Sequence, residues 1–279
     1  MKIEKASEMG ACPGVKRALA IAEKTAREKE KVHTLGPLVH NRQAIAYLSC
    51  LGVDTISRLD QLQGSAVIIP AHGAPPQVWD ELNKRSLEII DATCPIVHDA
   101  QQTTHELACS GFQVVIFGNA EHPEVRGLLG WAGDDAQATT DANSVTLEQP
   151  RLGILSQTTQ SQSDFTFFVN ILTRNLLSQL KELRVMNTIC DATKKRQEAA
   201  AELAKIVDLI LVIGGVDSAN TCRLVEACIA TGVSTYHIET AHDIAPEWLK
   251  KCLRVGITAG TSTSDQTINE VIQELQKYT

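Results

Sequence analysis

The chain has 279 residues, with 26 Lys and Arg against 33 Asp and Glu, which gives a formal net charge of −7. Hydrophobic residues make up 43% and charged residues 21%, values typical of a globular protein, so disorder, collagen and a long coiled coil are excluded. A negative chain without a basic stripe does not suit nucleic acid. No apolar run reaches the roughly 18–20 residues that span a bilayer, and the N-terminal segment lacks the apolar core of a signal peptide. We therefore expect a cytoplasmic protein that binds neither nucleic acid nor a membrane.

Short apolar runs alternate with helical stretches along the chain. In chain order, the pattern predicts helices at 14–30 and 41–51, a strand at 66–70, a helix at 95–110, strands at 114–117 and 152–155, helices at 161–179 and 193–206, a strand at 209–213, a helix at 218–231, a strand at 254–258 and a helix at 264–277. Continuous β-branched runs between helices are typical of buried parallel strands. The sequence therefore predicts an α/β protein with mainly parallel sheets.

Eight cysteines occur without a CxxC pair, which excludes the common zinc-finger and ferredoxin signatures. Cys12, Cys94 and Cys190 each stand just before a predicted helix, and they are 82 and 96 residues apart, with 89 residues after the last. This spacing predicts three comparable α/β units at 1–93, 94–189 and 190–279. Because each is small for an independent core and no flexible linker separates them, we expect them to pack as a compact trefoil.

Polar turns follow the predicted strands, at 71–75, 118–124, 156–159, 214–220 and 260–263, and the turn at 36–41 has the same character. In parallel α/β sheets, ligands bind beyond the carboxyl ends of the strands. These turns supply histidines, hydroxyls, an asparagine and glycines, a set that suits a phosphate or diphosphate held by neutral donors and helix N-termini. Walker A and GxGxxG motifs are missing from the sequence, so an ordinary nucleotide site is not expected.

Three thiolates from three units can hold a [4Fe–4S] cluster by three of its irons and leave the fourth open for a substrate. A zinc ion with three cysteines is the competing metal site. Buried, inert thiols are the third interpretation, and the spacing of the cysteines alone does not decide among the three.

The order of several motifs resembles one enzyme family. They are Gly10-Ala-Cys12-Pro-Gly-Val15, Val39-His40-Asn41, Ala71-His72-Gly73, Asp91-Ala-Thr-Cys94-Pro95, His122-Pro-Glu124-Val, Gln157-Thr158-Thr159, Cys190 with Arg196-Gln197, and Ser218-Ala-Asn220. This set is similar to the LytB/IspH family of 4-hydroxy-3-methylbut-2-enyl diphosphate reductases, which catalyse the last step of the methylerythritol phosphate route to isoprenoids. The resemblance extends from about residue 10 to about residue 265.

The resemblance implies a role for each matched residue. Cys12, Cys94 and Cys190 match the ligands of a [4Fe–4S] cluster, and the diphosphate-binding positions are matched by His40, His72, His122, Ser218, Asn220 and Ser262. Glu124 matches the acid that delivers protons, and Thr158 matches the hydroxyl that orients the substrate alcohol. The implied reaction removes the C4 hydroxyl as water with two electrons and two protons, giving isopentenyl and dimethylallyl diphosphate. The implied electron donor is a ferredoxin or a flavodoxin.

Four positions depart from the family pattern. Ala219 replaces a usual serine and Ser264 a usual proline, while Ala11 and Asp191 stand where aromatic residues are common. Ala219 and Ser264 motivate one alternative, a related iron–sulfur enzyme with another small phosphorylated substrate. A non-enzymatic iron–sulfur sensor and a zinc-dependent hydrolase are two further alternatives.

Residues outside these motifs receive ordinary structural interpretations. We expect His33, His98, His105, His237 and His242 to be structural or on the surface, and Cys50, Cys109, Cys222, Cys228 and Cys252 to pack as small apolar groups. Lys194-Lys195-Arg196 is predicted to form a solvated helix face.

Overall fold

The structure is a computed structural model that describes residues 1–278. In this range twelve strands form three four-stranded sheets, and every strand pair is parallel. The strands are β1 (Lys2–Lys5), β2 (Val32–Leu35), β3 (Val53–Ile56), β4 (Ala66–Ile69), β5 (Glu88–Asp91), β6 (Gln113–Phe117), β7 (Gln137–Thr139), β8 (Arg151–Ser156), β9 (Glu182–Met186), β10 (Leu209–Ile213), β11 (Ser234–Ile238) and β12 (Arg254–Ala259). The predicted α/β class with parallel sheets is confirmed.

Ten α-helices connect these strands within residues 1–278. They are α1 (Pro13–Glu28), α2 (Arg42–Cys50), α3 (Pro76–Asn83), α4 (Pro95–Cys109), α5 (Pro123–Ala132), α6 (Gln162–Leu176), α7 (Asp191–Ala204), α8 (Ala219–Ile229), α9 (Pro246–Leu249) and α10 (Asp265–Gln276). Proline at the first or second position begins α3, α4, α5 and α9, where its missing N–H costs no hydrogen bond.

The three sheets share one strand order. The orders are β3-β2-β4-β5, β7-β6-β8-β9 and, in the same sense, β11-β10-β12-β1. In each sheet one central strand, β2, β6 or β10, lies between the next two strands along the chain. These are β3 and β4, β7 and β8, or β11 and β12. A fourth strand pairs with β4, β8 or β12, and it is β5, β9 and, in the last sheet, the N-terminal β1. The division at 1–93, 94–189 and 190–279 stays a prediction, and it assigns β1 to a different unit from β12, the strand with which it pairs.

The chain divides into two compact units. One comprises Met1–Lys16, Val39–Tyr47 and Asp191–Thr279, and the other comprises Arg17–Leu38 and Leu48–Cys190. The core of the first lies on both faces of β10 and β12, whose apolar side chains are buried against α7, α8 and α10. In the second, β6 and β8 are buried between α4 with α5 on one face and α6 on the other, while the smaller sheet around β4 packs against α3. Buried central strands hold their carboxyl-end loops in fixed positions.

Candidate active site

The predicted site residues occupy equivalent places at the carboxyl ends of the three sheets. The segments after β2, β6 and β10 carry His40, His122, Glu124, Ser218 and Asn220. The segments after β4, β8 and β12 carry His72, Thr158 and Ser262, and those after β5, β9 and β1 carry Cys94, Cys190 and Cys12. Ligands of parallel α/β sheets bind at this end of the strands. Each sheet therefore contributes its candidates from the edge where a site is expected.

The backbone of each of the three cysteines donates a hydrogen bond to the loop that follows the adjacent strand of its sheet, which is β4, β8 or β12. The backbone N–H of Cys94 donates to the Ala71 carbonyl at 2.9 Å, that of Cys190 donates to the Thr158 carbonyl at 2.9 Å, and that of Cys12 donates to the Thr261 carbonyl at 3.0 Å. These three carbonyls belong to, or stand directly before, a predicted substrate residue. Within each sheet, the structure thus brings one cysteine next to one predicted substrate residue.

The local settings of the cysteines favour thiolate ligands. Cys94 is the N-cap of α4, and Cys12 precedes α1, where its Sγ accepts the N–H of Val15 at 3.5 Å. Cys190 immediately precedes α7. All three side chains are half-buried, and none is in a disulfide. The N-terminal ends of helices stabilise negative charge, so these positions suit a thiolate that binds metal.

Glu124 is a buried acid whose carboxyl group is held by Thr158. Its side chain is 3% exposed in the first turn of α5. The Thr158 backbone N–H donates to Oε1 at 2.6 Å, and the Thr158 hydroxyl donates to Oε2 at 3.0 Å. Burial raises the pKa of Glu124 to about 7, although the two hydrogen bonds from Thr158 oppose this increase. The carboxyl group can therefore gain and lose a proton near neutral pH.

His122 begins the helix that carries Glu124. It is the N-cap of α5, and its Nδ1 accepts the backbone N–H of Glu124 at 3.2 Å. Pro123 follows at the first helical position. In a neutral imidazole whose Nδ1 accepts, the ring proton is on Nε2. The local fold therefore selects the tautomer in which His122 offers an N–H donor.

His72 lies in a turn that requires glycine. Gly73 has a φ of +74°, and a Cβ at this position would lie 2.3 Å from Nε2 of Gln101. The Gly73 N–H donates to the Pro70 carbonyl at 2.9 Å, which closes the turn after β4. His72 is half-buried. The glycine thus fixes the path of the loop that presents His72.

Asn220 is a buried amide in the other unit, in the first turn of α8. It is 2% exposed, and neither Oδ1 nor Nδ2 has a hydrogen-bond partner within residues 1–278. Ser218 is the N-cap of the same helix and accepts the Thr221 N–H at 3.4 Å. Buried polar atoms are normally satisfied, so the Asn220 amide is suited to a polar ligand.

His40 and Ser262 are joined by a hydrogen bond within the same unit. The Ser262 hydroxyl donates to the backbone carbonyl of His40 at 3.1 Å. Burial lowers the pKa of the His40 imidazole, and the nearby Asp217 partly offsets this effect. Arg42 forms an ion pair with Asp217 at 3.2 Å, which holds the segment after His40 beside the loop that leads to Ser218.

Comparison with known proteins decides the family. The LytB protein family matches residues 3–276 of the chain. The chain belongs to the LytB family. A 4-hydroxy-3-methylbut-2-enyl diphosphate reductase of Dehalococcoides mccartyi is 45% identical to this LytB protein over 99% of this chain and 98% of the relative. The enzyme of the same name from Geobacter sulfurreducens is 40% identical over 100% of this chain and 98% of the relative.

Solved structures give the same result for this LytB protein. A structure of (E)-4-hydroxy-3-methyl-but-2-enyl diphosphate reductase, described as the terminal enzyme of the non-mevalonate pathway, is 39% identical, with a TM-score of 0.71 over 99% of this chain and 100% of the other. The E-1-hydroxy-2-methyl-but-2-enyl-4-diphosphate reductase from Plasmodium falciparum is 25% identical, with a TM-score of 0.93 over 99% of this chain and 88% of the other. The predicted family resemblance is confirmed.

Two absences are found in the part of this LytB protein that the structure describes. Within residues 1–278, no helix is both long and apolar enough to cross a membrane. Over the same range, no three His, Cys, Asp or Glu side chains converge as ligands of one metal ion. The ligands of a cluster bind different irons, and so they need not converge on one point.

Three sequence-based expectations for this LytB protein are wrong. Arg196 is not on a solvated face, because it is 5% exposed and its guanidinium donates to the Gly10 carbonyl. Cys50 and Cys109 do not pack as apolar groups, because both are exposed on the last residues of their helices. The run of basic residues that contains Arg196 is typical of an exposed helix face. Its place in the family motif after Cys190 is the sequence signal that sets Arg196 apart from the two lysines.

Proposed function

We propose that this LytB protein is a reductase that removes the C4 hydroxyl of 4-hydroxy-3-methylbut-2-enyl diphosphate and forms isopentenyl and dimethylallyl diphosphate. The observation that carries this proposal is the buried Glu124 held by Thr158 at 2.6 and 3.0 Å, with a pKa of about 7. A protein that only senses oxygen or binds a partner does not need a buried acid that titrates near neutral pH. Relatives at 45% and 40% identity carry the name of this activity.

Glu124 supplies the proton that the reaction requires. Cleavage of the C4–O bond with two electrons and two protons gives water and a C–H bond, and hydroxide leaves poorly unless it is protonated. A general acid works best when its pKa is near the operating pH. Glu124 meets this condition because its burial raises the pKa to about 7. The negative charge of a diphosphate bound beside Glu124 would raise that pKa further and favour the protonated acid.

Thr158 positions the Glu124 carboxyl group and the substrate alcohol. Its hydroxyl donates to Oε2 of Glu124, and its oxygen keeps a lone pair that can accept from the substrate alcohol. Its backbone N–H holds the second carboxyl oxygen and so prevents the carboxyl group from rotating. We infer that Thr158 orients the substrate hydroxyl toward Glu124.

The remaining polar residues bind the diphosphate. His40, His72, His122, Ser218, Asn220 and Ser262 are the proposed set. His122 contributes an Nε2–H donor because its Nδ1 is occupied by the N–H of Glu124. Asn220 contributes a buried amide, both of whose polar atoms lack a partner within residues 1–278. It lies in the first turn of α8, where backbone N–H groups and the helix dipole also favour an anion.

Cys12, Cys94 and Cys190 are the proposed ligands of a [4Fe–4S] cluster. The donor set fits such a group, since all three thiols are half-buried, free of disulfides and next to helix N-termini. When bound, the cluster supplies the electrons and an iron with an open coordination position. Replacement of any one of the three cysteines by serine is expected to lower the bound iron after anaerobic reconstitution, whereas replacement of the exposed Cys50 is not.

Electrons come to the cluster from a separate protein. No dinucleotide-binding GxGxxG motif occurs in the sequence, and we propose a ferredoxin or a flavodoxin as the donor. Both deliver single electrons, which suits a cluster that accepts one electron at a time.

Anaerobic turnover tests the proposed activity. Reconstituted protein is mixed with 4-hydroxy-3-methylbut-2-enyl diphosphate and a reduced viologen dye, and dye oxidation is compared with the C5 diphosphates formed. We expect turnover in the wild type and its loss in Glu124→Gln, which keeps the size of the side chain but cannot donate a carboxyl proton. A loaded cluster without turnover would contradict this substrate and favour another small phosphorylated alcohol.

A further inference from the structure

A buried arginine lies close to two of the proposed cluster ligands. Arg196 is 5% exposed, whereas Lys195, the residue before it on α7, is exposed. Buried charges are normally paired with an opposite charge because removal from water is costly. Among residues 1–278, however, no carboxylate forms an ion pair with Arg196, and its hydrogen-bond partners are neutral carbonyls. The guanidinium therefore keeps its positive charge without a direct ion pair among the side chains that the structure describes.

The guanidinium group of Arg196 bridges two backbone segments. Its Nε and Nη2 donate to the Gly10 carbonyl at 3.1 and 3.0 Å, and its Nη1 donates to the Ala192 carbonyl at 2.9 Å. Gly10 has a φ of +77°, and a Cβ there would lie 3.0 Å from the side chain of Ile268. The glycine therefore lets the chain turn so that its carbonyl meets the arginine.

Both carbonyls lie two residues from a proposed ligand. Gly10 stands two residues before Cys12, and Ala192 stands two residues after Cys190. Two residues span at most roughly 7 Å, so the backbones of both cysteines lie within roughly 10 Å of the guanidinium. Two such contacts from one side chain therefore hold its charge within that distance of both cysteine backbones.

We propose that Arg196 provides the positive charge that makes the cluster of this protein easier to reduce, an inference that rests on the cysteine ligands proposed above. Three thiolates carry more negative charge than the oxidised cluster core neutralises, and reduction adds one further negative charge. A fixed cation nearby favours the reduced form. At roughly 10 Å and an effective dielectric constant of about 20, the effect on the ratio of reduced to oxidised cluster is about tenfold.

Redox titration of reconstituted protein tests this charge effect. In the titration one electron passes from a reduced viologen dye to the oxidised cluster, and the reduced cluster is measured by its electron paramagnetic resonance signal. Arg196→Gln removes the charge, and Arg196→Lys keeps it. Lys195→Gln is the matched control, because it removes the same charge from the same helix at an exposed position. Circular dichroism confirms that each variant is folded.

In Arg196→Gln we expect the ratio of reduced to oxidised cluster at a fixed dye potential to fall about tenfold. For a one-electron couple this corresponds to a reduction potential about 59 mV lower than that of the wild type. The reduction potentials of Arg196→Lys and Lys195→Gln should equal that of the wild type. An Arg196→Gln potential equal to that of the wild type would overturn the inference while leaving the proposed function intact. If the wild type itself assembles no cluster, the proposed cofactor fails and the inference fails with it.

If Arg196→Gln folds but binds no cluster, its reduction potential cannot be measured, and cluster assembly is measured instead. In that case Arg196→Met, a second neutral variant, and Arg196→Lys are compared by iron and sulfide content. A cluster in Arg196→Lys but in neither neutral variant supports a requirement for positive charge. No cluster in a folded Arg196→Lys would show that the shape of arginine is what matters and would overturn the inference.

Discussion

Replacement of Glu124 by glutamine should change how the stability of the protein depends on pH. Burial raises the pKa of this carboxyl group from 4.5 to about 7. Between these two values the folded protein keeps a proton that the unfolded chain releases, so the free energy of unfolding falls as the pH rises through this window and levels off above it. At about 1.4 kcal/mol per unit, the shift corresponds to roughly 3 kcal/mol. Glutamine does not ionise and can still accept the Thr158 N–H.

Urea unfolding at several pH values measures this effect. The free energy of unfolding of Glu124→Gln minus that of the wild type should increase by roughly 2 to 3 kcal/mol between pH 5 and pH 8. Glu121→Gln is the control, because Glu121 is exposed in the same loop and pairs with Arg126. In samples labelled with ¹³C-glutamate, one carboxyl resonance should titrate near pH 7 and disappear in Glu124→Gln. A difference that stays constant from pH 5 to pH 8 would refute the argument that Glu124 is a buried acid with a raised pKa.

Three further substitutions test neighbouring parts of the account. Thr158→Val removes the hydroxyl donor to Glu124 and should raise the pKa seen in the carbon titration, whereas Thr158→Ser should not. Ala219→Ser should lower the KM for the allylic diphosphate roughly fivefold if one hydrogen bond of about 1 kcal/mol is restored; an unchanged KM would show that this position does not contact the substrate. Ser264→Ala should cost about 1 kcal/mol of unfolding free energy, since Ser264 caps α10 by accepting the Thr267 N–H at 3.0 Å, but it should leave turnover unchanged.

The central strands of the sheets could be predicted from the sequence, and the edge strands could not. The five predicted strands became β4, β6, β8, β10 and β12, each with neighbours on both sides and an apolar sequence. Six of the seven strands that the sequence pattern missed within residues 1–278 lie at the edges of the sheets. An edge strand need not be buried on both faces, so its sequence need not be a continuous apolar run. The exception is β2, a central strand whose apolar run is interrupted by His33 and Thr34, both of which are buried. An apolar run detects burial on both faces, not the strand itself.

The chain order of the site loops was also predictable, but long-range pairing was not. The turns after β2, β4, β6, β8, β10 and β12 hold the predicted histidines, hydroxyls and Glu124, because polar turns after apolar runs are visible in one sequence. The pairing of β1 with β12 joins residues more than 200 positions apart, and no local pattern encodes it. The burial of Arg196 depends in the same way on the distant Gly10 carbonyl.

A single-turnover reaction in deuterated water tests the proposed reduction most directly. Reconstituted protein, reduced viologen and 4-hydroxy-3-methylbut-2-enyl diphosphate are combined without oxygen, and the products are analysed by mass spectrometry. Since one proton leaves in water and the other forms the new C–H bond, we predict C5 diphosphates that have lost the hydroxyl oxygen and gained one deuterium, with two dye molecules oxidised per product. A product that keeps the oxygen, or turnover without dye oxidation, would contradict the assignment of this LytB protein as a reductase.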